Sequence, residues 1–579
     1  MTSNLLTLAE KTNFQETGRI DEVDRLCAAL SAEWPDAVRS FEFGRSAEGR
    51  PMRALIATRC GALTPEALHA RRVPILMLQA GIHPGESDGK DAGFIALREM
   101  LAAPRPAALG RIAILFVPAF NTDGHERVGR WNRPNQNGPQ VTGWRTTAQN
   151  LNLNRDYAKA DAPEMRALLQ LVNLWDPLIC ADLHVTDGAD FEPDISLQVE
   201  PINQGDPALR PAGIELRDAL IGKLERQGSL PLPFYPDFAA TDDPASGFVL
   251  TVYSPRFSTG YFPQRNRFTV LVETHSWKPY ARRVQIARNT IEGLTELTAE
   301  HGSPWLEKAR LADLAAAQLG GSALTLDYKS GWREPTAGGK ASAASADEEA
   351  SRVDFRGYAY TRNLSPISGA PVTVYDPGSP QIWRVPYRSR IEPTVVVRAP
   401  SLGYIIPHAY AQEIVPRLRC HGIEVIPLPV NLAAGRIERF RASQVSFSSQ
   451  PFEGRMRALI HGDWQPFERK IADFAQFVPI AQPLARLVAA LLEPQAPDSF
   501  AAWGFFNACF EQKEHLEPYV AEQVARAVLE EQPSLAALFE DRLRADAEFR
   551  ADPSARLEFF ARHHASWDEQ LNCYPLLRV

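Results

Sequence analysis

Four short, mostly apolar runs constrain the fold of this chain more than any other feature. They span 73–78, 112–117, 178–184 and 268–273. Each is too short for a helix and stops at Gly, Pro or a polar residue, the pattern of a buried strand. Helical spacing of apolar residues appears between or after them, at 90–101, 163–174 and 284–294. Strands alternating with helices predict an α/β fold, with a mostly parallel mixed sheet between helices. In such sheets ligands bind beyond the carboxyl ends of the strands. His83, Glu86, Asn121, His184 and Glu273 all fall at or just past such an end.

The remainder is organised around that core. Residues 20–34 read as a surface helix, 53–57 as a strand, and 305–319 as a separate helix begun by Pro304. The stretch 336–351 is small and polar, the composition of a linker. A chain of 579 residues accommodates about three or four domains. The expected division is a catalytic region at 1–335, a linker at 336–352, a smaller α+β region at 353–470 and a helical region at 471–579.

Composition excludes some functions. The net charge of −8 and the lack of a basic stripe argue against a nucleic-acid partner. No apolar stretch approaches the length that crosses a bilayer, so no membrane partner is expected. The six cysteines are too scattered for a local zinc ribbon and read as buried thiols. The first residues lack a basic start and a long apolar core, so a cytoplasmic location is expected; a trimmed export signal would leave the same appearance.

His83 and Glu86 lie three apart on the turn after the first strand, where an imidazole and a carboxylate can converge on one ion. Zinc accepts such a mixture, and a catalytic zinc takes three protein ligands with one position open. His184, at the end of its strand, is the candidate third ligand; His275 and His125 are its rivals. Asp182 shares a strand face with His184, so contact between them is open. Glu273 ends a buried strand, and such a carboxylate either caps backbone or works as a general base. Arg145 and Arg155 flank a polar loop, where arginine is either solvated or grips a carboxylate.

In chain order, His83-x-x-Glu86, Asn121-Thr-Asp-Gly124, Arg145, Leu153-Asn154-Arg155, His184 and Leu271-Val-Glu273-Thr-His form a constellation. It resembles the zinc metallocarboxypeptidase family, the carboxypeptidase A-like enzymes, across residues 40–295. The region beyond 345 looks like a C-terminal extension of a bacterial branch. The resemblance implies one zinc ion per chain held by His83, Glu86 and His184. It makes Glu273 the base that activates water and then protonates the leaving nitrogen. Arg145 would polarise the scissile carbonyl, and Asn154 with Arg155 would bind the terminal carboxylate of a peptide. A mobile tyrosine upstream of the base is also implied; Tyr261 is favoured over Tyr253. One departure is Asp156, where the family often has Asn, an acid placed to weaken or retune the grip of Arg155.

These expectations describe a zinc hydrolase that removes C-terminal residues from peptides. The rival within enzymes is a zinc amidase acting on a γ-linked cell-wall peptide or an N-acyl amino acid. A rival of another class is a binding or assembly protein with a vestigial zinc site. The extension is expected either to pack on the catalytic region and narrow its entrance, or to mediate homo-oligomer formation.

Overall fold

The computed structural model describes residues 3–103, 108–330, 352–433, 436–468 and 471–579. The expected linker therefore lies outside the described residues, except for Arg352.

Eight strands form the central sheet: β1 (Val38–Arg45), β2 (Pro51–Ala57), β3 (Ile75–Ala80), β4 (Ala113–Val117), β5 (Ile179–Val185), β6 (Ile195–Glu200), β7 (Pro231–Leu232) and β8 (Phe268–Thr274). Their spatial order is β1-β2-β4-β3-β5-β8-β6-β7. The middle, β4-β3-β5-β8, is parallel, and its strands are buried along their whole length. Burial on both faces explains why these four runs read as continuous apolar stretches without alternation. Register places Glu273 directly beside His184 across the β5–β8 pair.

Helices Ile20–Glu33, Asp88–Ala102, Arg210–Arg226 and Tyr280–Ala316 cover one face. The last differs from expectation. It runs unbroken for 37 residues, through Pro304, instead of restarting there. Pro304 removes one backbone hydrogen bond, but it sits on the exposed side, while Trp305, Ala309 and Ala312 keep the inner side in the core.

The other face is covered by Pro163–Trp175 and by the C-terminal half. One continuous apolar cluster joins Met52, Met77 and Leu115 of the central sheet to Ile406, Leu418, Leu487, Leu491, Phe500 and Tyr574. The C-terminal half carries a six-stranded sheet ordered 426–427, 476–479, 403–406, 573–578, 437–447, 458–467. Two of its strands, Gln476–Pro479 and Cys573–Arg578, come from the stretch expected to be helical, alongside helices such as Ala485–Leu492 and Pro518–Glu531. A long hairpin, Arg352–Leu364 with Pro371–Arg388, pairs with the two-residue strand Phe248–Val249, which in turn pairs with Asp237–Phe238. All six cysteines are free. Among the described residues no helix is long and apolar enough to cross a membrane.

Candidate metal centre and active site

β3 ends at Ala80, and Gly81 turns the chain with φ +67°. Only glycine fits there: a Cβ would lie 2.5 Å from Cε1 of His125. The Glu86 amide then donates to the His83 carbonyl, closing a turn that aims both side chains the same way. His83 Nδ1 lies 3.0 Å from Glu86 Oε1, and His184 Nδ1 lies 2.9 Å from Glu86 Oε2. All three residues are buried, and one ligand atom from each falls within 4.8 Å of the others.

The partners of His83 set its tautomer. Asn152 Oδ1 accepts from the Asn154 amide, so it is an oxygen, and it also accepts from His83 Nε2 at 3.1 Å. That leaves His83 Nδ1 as a lone pair facing Glu86. His184 Nε2 lies 3.2 Å from Asp182 Oδ1, a charge contact without hydrogen-bond geometry. Gln79 and Ser258 donate to the same carboxylate at 2.9 and 2.6 Å. Both rings thus present Nδ1 to one point beside a carboxylate. Two imidazole nitrogens and a carboxylate are a donor set suited to zinc.

Charge is divided unevenly among the four groups. Burial disfavours ionised Glu86, but His83, Arg133 and His184 outweigh that and hold it well below the usual carboxylate range. Burial pulls His83 down to about 4, keeping it neutral. Burial alone would lower His184, but Asp182 and Glu86 raise it well above its ordinary value. Glu273 behaves oppositely to Glu86. Burial is the main cause, partly offset by attraction to His184 and reinforced by repulsion from Glu86 and Asp187, and its carboxyl rises to about 8. Its Oε2 is buried with no hydrogen-bond partner among the described residues. A carboxyl raised into the neutral range beside a ligand cluster is placed to exchange a proton there, as a general acid–base group must.

These groups line a cavity of about 260 Å³, together with Arg145, Asn154, Arg155, Tyr235, Asp237 and Tyr253. Arg145 Nη1 lies 3.4 Å from Glu86 Oε1 and its side chain is partly exposed. Arg155 lies over the Phe257 ring at 4.4 Å and donates to the Asn154 carbonyl. Among the described residues no carboxylate comes within ion-pair distance of Arg155. Burial and repulsion from Arg145 and Arg256 lower its pKa, as for a cation short of an anion. Asn154 Oδ1 is buried without a partner. Asp237 also lines the cavity, and among the described residues its carboxylate meets only hydroxyls: Tyr253 donates to it at 3.2 Å and Thr251 at 3.5 Å. Burial raises its carboxyl above the ordinary value.

Three expectations change. Tyr261 is not in the cavity: it is fully buried and donates to His421 Nδ1 at 3.0 Å. It faces the core because the helix Ser258–Gln264 is buried along its length, whereas Tyr253 precedes that helix and lines the cavity. Asp156 turns away from Arg155 and is fully buried, accepting from Lys159 and from the Asp161 and Ala162 amides. Asn121 caps the helix Thr122–Glu126 by accepting from the Gly124 amide, a structural role. The rival ligands sit elsewhere. His275 pairs with Ser196 and the Pro193 carbonyl, and His125 Nδ1 donates to the Asn121 carbonyl.

Arg133 escaped the sequence reading. It donates to Glu86 Oε1 at 3.0 Å and to the Val185 and Thr186 carbonyls, bracing the ligand carboxylate against β5. Its only signal is membership of an arginine-rich loop, Arg127, Arg130 and Arg133, after Asn121-Thr-Asp-Gly. Asp237 and Tyr235 carry no such signal either, since a two-residue strand and the irregular stretch before it show no apolar periodicity.

A family model described as zinc carboxypeptidase matches residues 23–189. No curated protein matches the chain. Similar solved structures include a metallo-carboxypeptidase from Burkholderia cenocepacia, at 15% identity, 49% of this chain, 69% of that chain and TM-score 0.36. A carboxypeptidase A from Helicoverpa armigera is 16% identical over 49% of this chain and 74% of that one, with TM-score 0.35. A putative carboxypeptidase A from Shewanella denitrificans is 16% identical over 48% and 69%, with TM-score 0.37.

Proposed function

We propose, from the match of residues 23–189 to the zinc carboxypeptidase family model, that this protein releases single residues from the C-termini of peptides. One observation carries the reading. The cavity that holds His83, Glu86, His184 and Glu273 also holds Arg155, a cation with no carboxylate partner among the described residues. A substrate with a free terminal carboxylate supplies that partner; an amide does not.

Zinc bound by His83, Glu86 and His184 would supply a Lewis acid that polarises a carbonyl and acidifies water. The remaining steps belong to the chain. Arg155, with the Asn154 amide group, grips the terminal carboxylate and sets the peptide's register. Glu273 takes a proton from the attacking water at its free carboxylate oxygen and passes it to the departing nitrogen. Arg145 donates to the carbonyl oxygen as negative charge develops there. Tyr253 and Phe257 shield the cavity. The side chain of the released residue would face Asp237, an acceptor that meets no cation among the described residues, so Lys and Arg are the expected residues.

The test is a mass-spectrometric digest of a peptide library by the zinc-loaded enzyme, with each peptide as free acid and as C-terminal amide. Only the acids should lose single residues, Lys and Arg first. Arg155→Met should raise KM for the acids by about 10- to 100-fold, the worth of one charge-assisted hydrogen bond. Equal cleavage of acids and amides would sink the reading.

A further inference from the structure

The hairpin tip Phe452-Glu-Gly-Arg455 is a two-residue turn closed by mutual backbone hydrogen bonds between Phe452 and Arg455, at 2.9 and 3.1 Å. Its central residues, Glu453 and Gly454, both take the left-handed conformation, with φ +50° and +77°. Turns of this type favour Asn-Gly, and glutamate is a strained choice at the first position. A residue that breaks a local rule is commonly held for what its side chain does.

The side chain of Glu453 reaches out of the extension into the catalytic half. Its Oε2 accepts from the Asn152 amide at 2.8 Å, a bond between residues 301 apart in sequence. Asn152 is the residue whose side chain receives His83 Nε2, and it opens the short turn Leu153–Arg155. One carboxylate thus fixes the segment that orients a metal-ligand candidate at one end and the carboxylate anchor at the other. The glutamate also lies close enough to Arg155 to attract it, against the repulsion of Arg145 and Arg256. The tip itself is held firmly. Arg455 makes two bonds to Asp161, at 2.6 and 2.8 Å, and lies 3.6 Å over the Phe505 ring. Phe452 stacks on Trp503.

We propose that Glu453, supplied by the C-terminal extension, is a positioning residue of the hydrolytic site. It holds Asn152 so that His83 and Arg155 stay aligned. The substrate half of this statement rests on the carboxypeptidase reading; the metal half does not.

Full-length Glu453→Gln, Glu453→Ala and Glu453→Gly separate the roles. Glutamine keeps the acceptor, so it should restore zinc release to a chelator and KM for free-acid peptides to within about threefold of wild type. Alanine should speed zinc release and raise KM by about tenfold each, with kcat changed less. Glycine removes the side chain but relieves the backbone, so it should melt no lower than alanine while showing the same two defects. Wild-type zinc release and KM in the glycine variant would overturn the proposal, as would a glutamine variant as defective as alanine. If wild-type protein cleaves no peptide, the carboxypeptidase reading fails, and the order of zinc-release rates still decides the role of Glu453.

Discussion

At the scale of single residues, the site depends on which groups are paired and which are left open. His83 Nε2 meets the Asn152 side-chain oxygen and His184 Nε2 lies against Asp182, while Glu273 keeps an oxygen unpartnered among the described residues. This division predicts that metal binding and turnover separate on mutation. Glu273→Gln should retain equimolar zinc and lose about 10²- to 10⁴-fold in kcat, the usual reach of a general acid-base group. His184→Ala should lose the zinc itself. Elemental analysis beside steady-state kinetics checks both, and full zinc in the His184 variant would remove it from the ligand set. The ligand candidates were legible because they stand at strand ends in a recognisable order. Asp237 and Arg133 were not, and the choice between Tyr253 and Tyr261 fell on the wrong one, because nothing in a loop sequence says which cavity its side chain enters.

At the scale of elements, apolar periodicity reported the buried strands and helices, and it failed where tertiary contact makes the element. The strands Asp237–Phe238 and Phe248–Val249 exist because the Pro371–Arg388 strand pairs with one of them, more than a hundred residues away. Proline misled at 304, where the local signal for a helix start was overruled by a core that needed both flanking turns. The clasp between the Phe452–Arg455 tip and Asp161 has a pH dependence of its own. Burial would raise the Asp161 carboxyl, but Arg455, Lys159 and Arg417 outweigh it and hold the group down to about 2. Because the folded value lies below the ordinary 3.8, the stabilisation is complete above about pH 4 and lost as pH falls toward 2. The difference amounts to about 2 kcal/mol. Melting curves between pH 4 and pH 2 should therefore fall more steeply for wild type than for Asp161→Asn.

At the scale of the whole molecule, the extension closes the core of the catalytic half. The apolar cluster on the second face of the central sheet runs without interruption into Leu487, Leu491, Phe500 and Tyr574. Composition hinted at a boundary near the small polar stretch, but a shift in composition reports chain character and says nothing about which surfaces meet. A protein cut after residue 330 would expose that face of the sheet. It is expected to bind a hydrophobic dye and to aggregate, whereas the full chain should do neither; a soluble, monomeric fragment of native-like stability would refute this.

The strand Cys573–Arg578 lies inside the six-stranded sheet, between Gly403–Ile406 and Ile437–Phe447. Ribosomes deliver a chain from its N-terminus, so this sheet stays open until residue 578 has emerged. The clasp on the Asn152 segment hangs from that sheet, between the strands Ile437–Phe447 and Ala458–Phe467. The clasp on the Asn152 segment therefore settles only after a strand made long after the cavity residues has joined the sheet, so the first half of the chain waits on the second for its final shape.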